Sequence, residues 1–268
     1  MIYLLDSSCT FEKLVANLSF PIKQASLPTV FTEDLGSLII TDLYIDKASK
    51  IPSSKKILWL IETEDIIPHA YAEAISLRHD VHKVYSWDKD LCYRYPNFHY
   101  YPFGSTFLTD DEQQLYDKCK DVSFLMSSKT YTKGHKLRHQ IKNQYGEKIQ
   151  NVKQSPPMDP KINWLKDYRF SVIVENCRVR GYFSEKIIDC FRTGTIPIYW
   201  GDPDIGNTFN SEGILCFETL SELDNILDSA TEELYVKLRK AAEENYHIAE
   251  SYLWLANNLW EAGVKNDI

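Results

Sequence analysis

The chain has 268 residues and a formal charge of −8 at pH 7, and 44% of its residues are hydrophobic. This composition excludes a largely disordered protein and fits two modest globular domains. The negative charge disfavours general binding to nucleic acid, although local basic clusters could hold one small phosphorylated ligand. The longest apolar run, residues 57–61, is far too short to span a bilayer, so no integral membrane segment is expected.

The N-terminal residues 1–6 predict a buried strand and lack the basic start and the small-residue cleavage site of a signal peptide. The six cysteines are scattered, with no CxxC pair and no Cys/His spacing typical of a metal site. We interpret them as reduced thiols, which predicts a cytoplasmic location.

Short apolar runs in the first hundred residues predict the strands of a parallel sheet, at residues 2–5, 37–40, 57–61 and 81–85. Helices are predicted between them at residues 11–17 and 68–78, the second with Pro68 near its first turn. A break near residues 102–105 predicts a domain boundary. The sequence therefore predicts an α/β domain over residues 1–105 and a second one over residues 106–268.

The second half repeats this alternation, with strands predicted at residues 122–126, 170–174 and 195–200. Helices are predicted at residues 134–145 and 185–193, where Ser184 suits an N-cap and Gly194 suits a helix stop. Two further helices are predicted at residues 221–229 and 232–262. The last of these is a long C-terminal helix.

The loop between the strand at 170–174 and the helix at 185–193 predicts a ligand site, because ligands bind at the carboxyl ends of the strands in such sheets. A helix N-terminus favours an anion, and Lys186 adds a positive charge there. Glu185 can accept hydrogen bonds from ribose or sugar hydroxyls. Taken alone, these residues also fit an ordinary capped helix start.

Three stretches in this region resemble the donor-binding signature of glycosyltransferase family 10, the α-1,3/4-fucosyltransferases. Residues 174–176, 181–189 and 194–201 are similar, in order, to the family elements F-E-N, G-Y-V-T-E-K and G-T-x-P-x-x-x-G. Phe183 and Ser184 stand where the family has Val and Thr, which keeps the hydroxyl cap.

The resemblance implies a GT-B fold, with two Rossmann-type α/β domains facing a cleft. It implies that the N-terminal domain binds a saccharide or glycan acceptor and that the C-terminal domain binds a nucleotide sugar donor. The implied reaction is inverting transfer of fucose from GDP-fucose to a glycan hydroxyl. The resemblance also implies that no metal or other cofactor is required and that a divalent cation would be non-essential. Carried over residue by residue, the donor site contains Glu175, Asn176, Tyr182, Ser184, Glu185 and Lys186.

The family also places a basic residue against the diphosphate, in the first strand–helix connection of the donor domain. The corresponding residues 127–138 contain several cations, of which Lys136 and Arg138 are favoured. The same run also fits a solvated helix start.

For the general base, the resemblance points to a carboxylate that follows a strand of the N-terminal domain. Glu62 comes directly after the apolar run 57–61 and is the candidate, with Glu64 as the reserve. Partial burial would raise the pKa of Glu62 toward a useful range. Acids at this position also fit caps of the next helix.

Two further features resemble a metal-binding motif and a sugar-stacking surface, and each has a simpler interpretation. Asp202 and Asp204 have the spacing of a metal-binding DxD motif, but their place after a strand favours a turn, so no metal site is predicted. The aromatic segment 93–101 suits either sugar stacking or packing, and packing is favoured.

Two other functions remain open at this stage. The same fold could use another nucleotide sugar, such as GDP-mannose or a UDP-sugar. The chain could also be a non-catalytic module that binds a sugar nucleotide or a glycan.

Overall fold

The computed structural model describes residues 2–6, 22–53, 55–149, 151–154 and 160–253. They form two compact units, one ending at Phe103 and the other spanning Gly104–Leu253. Each unit is built around a parallel sheet with helices, so the predicted α/β class is confirmed. The predicted helix at residues 11–17 lies outside the described residues. The acceptor and donor roles of the two domains stay predictions.

The first unit contains a six-stranded sheet with short connecting helices. Its strands are β1 (Ile2–Leu5), β2 (Ile22–Gln24), β3 (Ser37–Thr41), β4 (Lys55–Leu60), β5 (Lys83–Ser86) and β6 (Phe98–Tyr100). They lie parallel in the order β2-β1-β3-β4-β5-β6. The helices are α1 (Leu27–Thr32), α2 (Pro68–Ser76) and α3 (Lys89–Arg94), with a 3-10 helix at Asp42–Lys50.

Both faces of this sheet are buried, which explains why its central strands are continuous apolar runs. Ile39, Ile57 and Trp59 belong to one apolar cluster. Leu38 and Leu58, which alternate with them along β3 and β4, are also fully buried. The sheet is therefore covered on both sides, as a parallel sheet must be.

The second unit contains a five-stranded sheet and longer helices. Its strands are β7 (Lys120–Met126), β8 (Asn151–Gln154), β9 (Tyr168–Val174), β10 (Ile196–Trp200) and β11 (Leu215–Cys216). They lie parallel in the order β11-β10-β9-β7-β8. The helices are α4 (Lys133–Tyr145), α5 (Glu185–Phe191), α6 (Leu220–Ser229) and α7 (Glu232–Ala249), and 3-10 helices include Lys161–Trp164 and Glu250–Tyr252.

The order of the strands reverses beside the first strand of each sheet, between β1 and β3 and between β7 and β9. At such a switch point the connections leave on opposite faces and open a crevice at the carboxyl ends of the two strands. In the first unit those ends are Leu5 and Thr41, and in the second unit they are Met126 and Val174. The topology therefore selects one ligand-binding position in each unit.

Several predicted boundaries differ from the structure. The strand predicted at 81–85 is Lys83–Ser86, and the helix predicted at 185–193 ends at Phe191. The last helix was predicted to be continuous to residue 262, but α7 ends at Ala249 and a 3-10 turn follows. Residues 254–262 lie outside the described residues. No helix in the described ranges combines the length and apolar character needed to cross a bilayer.

The aromatic segment 93–101 divides between surface and core. Phe98 and Tyr101 are buried, and the Tyr101 ring packs edge-on against Trp59 at a centroid distance of 5.9 Å. Tyr93 and Tyr100 are exposed. Packing therefore describes only part of this segment.

Helix α4 begins in direct contact with the chain that leaves β9. The Gly134 amide donates to the Asn176 carbonyl over 3.1 Å. A Cβ at position 134 would lie 1.8 Å from the Glu175 carbonyl oxygen, so no larger residue fits without moving one backbone against the other. This close approach fixes α4 against the carboxyl end of β9.

We expect Gly134→Ala to lower the free energy of unfolding by about 3 kcal/mol, because overpacking here displaces backbone rather than a flexible side chain. Gly206→Ala is the control, since its Cβ would meet only the side chain of Ser211, with Cβ at 3.2 Å and Oγ at 3.8 Å. Urea unfolding curves of both variants measure the difference. Equal losses would contradict the proposed backbone contact.

Candidate functional site

A pocket of about 380 Å³ lies at the switch point of the second unit. It is bounded by the carboxyl-terminal halves of β7 and β9, the 3-10 helix at Lys161–Trp164 and the first turn of α5. Its lining residues are Phe107, Leu125, Met126, Ser127, Arg138, Lys161, Trp164, Leu165, Ser171, Val172, Ile173, Val174, Glu185 and Lys186. The pocket therefore occupies the position that the topology selects.

The pocket combines apolar walls with several charged side chains. Three cationic side chains, Arg138, Lys161 and Lys186, line it together with one carboxylate, Glu185. In a partly enclosed site the attraction between such cations and an anion is weakened less by water than on an open surface. The lining suits a ligand with a negatively charged group and a flat or apolar body.

Glu175 forms the buried anchor of the loop that leads to α5. Its carboxylate is fully buried and accepts hydrogen bonds from the Ser184 amide at 2.9 Å and from the Ser184 hydroxyl at 2.8 and 2.9 Å. Lys186 Nζ donates to Glu175 Oε2 over 3.1 Å and to Ser184 Oγ over 2.8 Å. The side chains of Glu175 and Ser184 therefore hold the Lys186 ammonium group at the edge of the pocket.

Arg138 reaches the pocket from α4. It is 4% exposed, and its Nε donates to the Val174 carbonyl at the end of β9 over 2.9 Å. One of its terminal nitrogens donates to the side-chain oxygen of Asn176 over 3.0 Å. Burial lowers the pKa of Arg138, but Glu175 and other neighbours oppose this effect, and a guanidinium stays protonated in proteins.

Lys161 is held at the pocket by a second buried carboxylate, Asp189 of α5. Lys161 Nζ lies 2.6 Å from Asp189 Oδ2. Asp189 also accepts hydrogen bonds from the Thr106 hydroxyl at 2.6 Å and the Phe107 amide at 3.2 Å. Asp189 therefore ties the segment at residues 106–107 and the lysine to the same helix.

The charges in the pocket act on one another. Burial would raise the pKa of Glu185, but Lys186 and Lys161 outweigh it and hold that pKa below its ordinary value. Burial would lower the pKa of Lys161, but Asp189 and Glu185 outweigh it and raise that pKa. Glu185 is therefore a carboxylate and Lys161 an ammonium group at neutral pH.

The structure separates the predicted donor residues into three groups. Arg138, Glu185 and Lys186 line the pocket. Glu175, Asn176 and Ser184 make the hydrogen bonds that hold this lining, and their direct contact with a donor stays a prediction. Lys136 is exposed and Tyr182 is buried, and neither lines the pocket.

Lys161 and Phe107 are pocket residues that the sequence analysis did not identify. Lys161 comes from the connection between β8 and β9, and Phe107 comes from the start of the second unit. Lys161 Nζ lies 5.3 Å from the centre of the Phe107 ring, so the two side chains form one wall of the pocket. Only the fold brings these two residues together, since they are 54 positions apart in the sequence and no local pattern links them.

The two candidate bases are in the first unit, at the end of β4. Glu62 is half-buried, its amide donates to Asp42 Oδ1 over 3.2 Å, and its carbonyl accepts from the Tyr71 hydroxyl at 2.9 Å. Glu64 is exposed. The structure thus places only Glu62 in a backbone setting fixed by neighbouring side chains.

The predicted turn at Asp202 and Asp204 is present. The Asp204 amide donates to Asp202 Oδ1 over 2.8 Å, and Arg180 forms an ion pair with the Asp204 carboxylate at 2.6 Å. Within the described ranges, no group of three or more His, Cys, Asp or Glu side chains is arranged to hold a metal ion.

We expect Glu175→Gln to lower the free energy of unfolding by about 2 kcal/mol. The reason is that Lys186, which is partly shielded from water, loses its counter-charge in a buried network. Glu218→Gln is the control, because it breaks an exposed pair with Arg178, where a loss below about 1 kcal/mol is typical. Urea unfolding measures both, and a smaller loss at Glu175 than at Glu218 would contradict this account of the network.

Comparison with known proteins gives one sequence match. The chain is 37% identical over 68 residues to the α-(1,3)-fucosyltransferase FucT of Helicobacter pylori. The match covers 25% of this chain and 14% of that relative. No family model matches the chain.

Solved structures match over most of the chain at low identity. A crystal structure of an α1,3-fucosyltransferase with GDP has a TM-score of 0.60 and 16% identity, over 91% of this chain and 81% of that chain. The structure of Anabaena Alr3699/HepE in complex with UDP and glucose has a TM-score of 0.61 and 10% identity, over 86% and 78% of the two chains. These structural similarities show that the chain has the GT-B fold of glycosyltransferases, and the 68 matched residues are similar to those of a fucosyltransferase.

Proposed function

We propose that this chain is an inverting glycosyltransferase that transfers fucose from GDP-fucose to a glycan hydroxyl. The observation that carries the proposal is the pocket lined by three cations at the switch point, in a chain with a fucosyltransferase-like sequence. The pocket lies where parallel α/β sheets bind nucleotides. The nucleotide sugar is the co-substrate, and the proposal needs no metal ion or other cofactor.

In the proposed donor complex the diphosphate lies against Lys186, Arg138 and Lys161. Helix α5 has only seven residues, so its dipole adds little and the side-chain cations supply most of the attraction. Glu185, whose carboxylate lies 3.8 Å from Lys186 Nζ, remains ionised and accepts hydrogen bonds from ribose or sugar hydroxyls. The apolar wall formed by residues such as Met126 and Trp164 suits the flat base or the sugar ring.

The proposed reaction is a single displacement. The Glu62 carboxylate takes the proton of the acceptor hydroxyl, and the acceptor oxygen forms a bond to the anomeric carbon. The bond from that carbon to the diphosphate oxygen breaks, and GDP leaves with the electron pair. Attack from the face opposite the leaving group inverts the configuration at the anomeric carbon. The pocket cations stabilise the charge that develops on the diphosphate.

A UDP-sugar is the second candidate donor, because a structure of similar fold contains UDP and glucose. Three cations recognise a diphosphate and do not distinguish guanine from uracil. The acceptor and its linkage are left open by the same argument. A cytoplasmic location is also part of the proposal, as the scattered cysteines led us to expect.

We expect GDP at a hundredfold excess over its Kd to stabilise the protein by about 2.7 kcal/mol. If the donor is GDP-fucose, UDP at the same concentration should stabilise it less, although both nucleotides offer a diphosphate to the three cations. Thermal melting measures the shift. Lys186→Met should reduce the GDP affinity at least roughly tenfold, because one of the cations is lost. Lys136→Met is the matched control, since this exposed lysine lies on α4 outside the pocket. Stabilisation by UDP alone would replace the fucosyl donor with a UDP-sugar.

We expect Glu62→Gln to lower kcat on the order of 100-fold or more, because an amide cannot accept the proton of the acceptor hydroxyl. GDP binding should stay unchanged. Glu64→Gln is the control and should keep full activity, since Glu64 is exposed and two residues away. Incubation with GDP- and UDP-sugars on a glycan array, read by mass spectrometry, measures transfer. A protein that binds GDP but transfers no sugar would be a non-catalytic binding module.

A further inference from the structure

Asp42 occupies an unusual backbone position at the switch point of the first unit. It follows β3 directly and has a φ angle of 42°, in the left-handed region that side chains with a Cβ rarely adopt. It is also fully buried, with 1% of its surface exposed. Such a conformation persists only where the surrounding structure imposes it, and it is often found at functional sites.

One oxygen of the Asp42 carboxylate fixes the end of β4. Oδ1 accepts hydrogen bonds from the Ile61 amide at 2.8 Å and the Glu62 amide at 3.2 Å. These two residues lie just beyond the last residue of β4, where β3 no longer provides ladder partners. Asp42 therefore accepts hydrogen bonds from the backbone amides of Ile61 and Glu62, and this fixes the backbone from which the Glu62 side chain extends.

The other oxygen is not needed for this structural role. Asp42 Oδ2 is buried and has no hydrogen-bond partner among the residues that the structure describes. An asparagine would supply the same acceptor oxygen and tolerates the left-handed region equally well, without a buried charge. The ionisable second oxygen is thus the feature that requires an explanation.

The surroundings of this carboxyl group are acidic. Burial, together with Glu62 and Asp6, raises the pKa of Asp42 to about 7, although the two amides oppose the shift. Asp6 lies at the end of β1, where its carboxylate accepts from the Thr41 hydroxyl at 2.7 Å. Helix α2, which packs against the 3-10 helix that Asp42 begins, contributes the buried residues Ala70, Tyr71 and Ala74.

We propose that Asp42 is a positioning residue that acts on the base Glu62 in two ways. Through Oδ1 it fixes the backbone of Glu62, and through its negative charge it increases the affinity of the Glu62 carboxylate for a proton. This inference rests on the proposed function, in which Glu62 removes the acceptor proton. It adds a second carboxyl group whose protonation state determines how strong that base is.

The physical reason is electrostatic repulsion between the carboxylates of Asp42 and Glu62, two residues that are joined by the hydrogen bond from the Glu62 amide to Asp42 Oδ1. When Asp42 ionises, the charge on Glu62 becomes less favourable, so protonation of Glu62 becomes more favourable. The two groups then titrate as a coupled pair. General-base catalysis improves as the base binds a proton more tightly, provided that the base stays mostly ionised. Activity should therefore rise as Asp42 loses its proton.

The first test is the pH dependence of kcat/KM between pH 5.5 and 9 for the wild-type protein and Asp42→Asn. The wild-type profile should rise roughly five- to tenfold through the region near pH 7. Asp42→Asn should keep the low-pH rate and lack this rise. A purely structural role predicts a lower rate with an unchanged profile shape, and this result would overturn the proposal. A wild-type profile without an ionisation in this range overturns it even if the variant does not fold.

The second test does not depend on activity. The ¹³C signal of the Glu62 carboxyl group, assigned with Glu62→Gln, is followed through a pH titration by NMR. In the wild-type protein this signal should respond in two steps, one of them near pH 7, and in Asp42→Asn it should respond in one. Identical titration curves would overturn the role of Asp42. Two steps in a protein that transfers no sugar would support the coupling and reject the proposed function alone.

Discussion

The pocket of the second unit depends on the hydrogen bonds and the ion pair that the buried carboxylate of Glu175 forms. A buried carboxylate without partners would lower the stability of the fold by several kcal/mol, so other parts of the chain must supply hydrogen-bond donors and a cation to it. They do so through the hydroxyl and amide of Ser184 and the ammonium group of Lys186. The same contacts close the loop, cap α5 and place a cation beside the pocket. Glu175 thus determines both the conformation of the loop before α5 and the position of the Lys186 charge.

The first unit uses a buried carboxylate at the corresponding place in its own sheet, with a different outcome. Glu175 and Asp42 each follow the strand that ends at the switch point, and each accepts backbone amides from a neighbouring segment. Lys186 neutralises the first, whereas acids surround the second. A carboxylate surrounded by other acids is able to exchange a proton near neutral pH.

The sequence predicts the seven central strands of the two sheets and misses the four strands at the sheet edges, β2, β6, β8 and β11. Central strands are buried on both faces and appear as apolar runs, as in β9 and β10, whose residues are all buried. Edge strands are short and partly polar, and β2 (Ile22–Gln24) shows no such run. Their position follows from pairing with a neighbour rather than from local composition.

The candidate site shows the same division. Residues 175–186 were predicted because their local pattern resembles a known motif, whereas Lys161 and Phe107 reach the pocket only through the fold. Arg138 and Lys136 could have been separated by helical periodicity. Arg138 lies three and seven positions before Ile141 and Tyr145 on the buried face of α4, and Lys136 lies outside this stripe.

In the proposed function, cations in the pocket explain binding of the donor and not the rate of transfer, because the diphosphate is negatively charged in the donor and in the product. Acceleration requires groups that meet the additional charge of the leaving oxygen without first rearranging. Lys186 meets this requirement, since Glu175 and Ser184 fix its ammonium group before any ligand binds. Arg138 is fixed in the same way by the Val174 carbonyl. In the proposed reaction, the hydrogen bonds that hold Lys186 and Arg138 in place would therefore also allow these cations to stabilise the charge on the leaving oxygen.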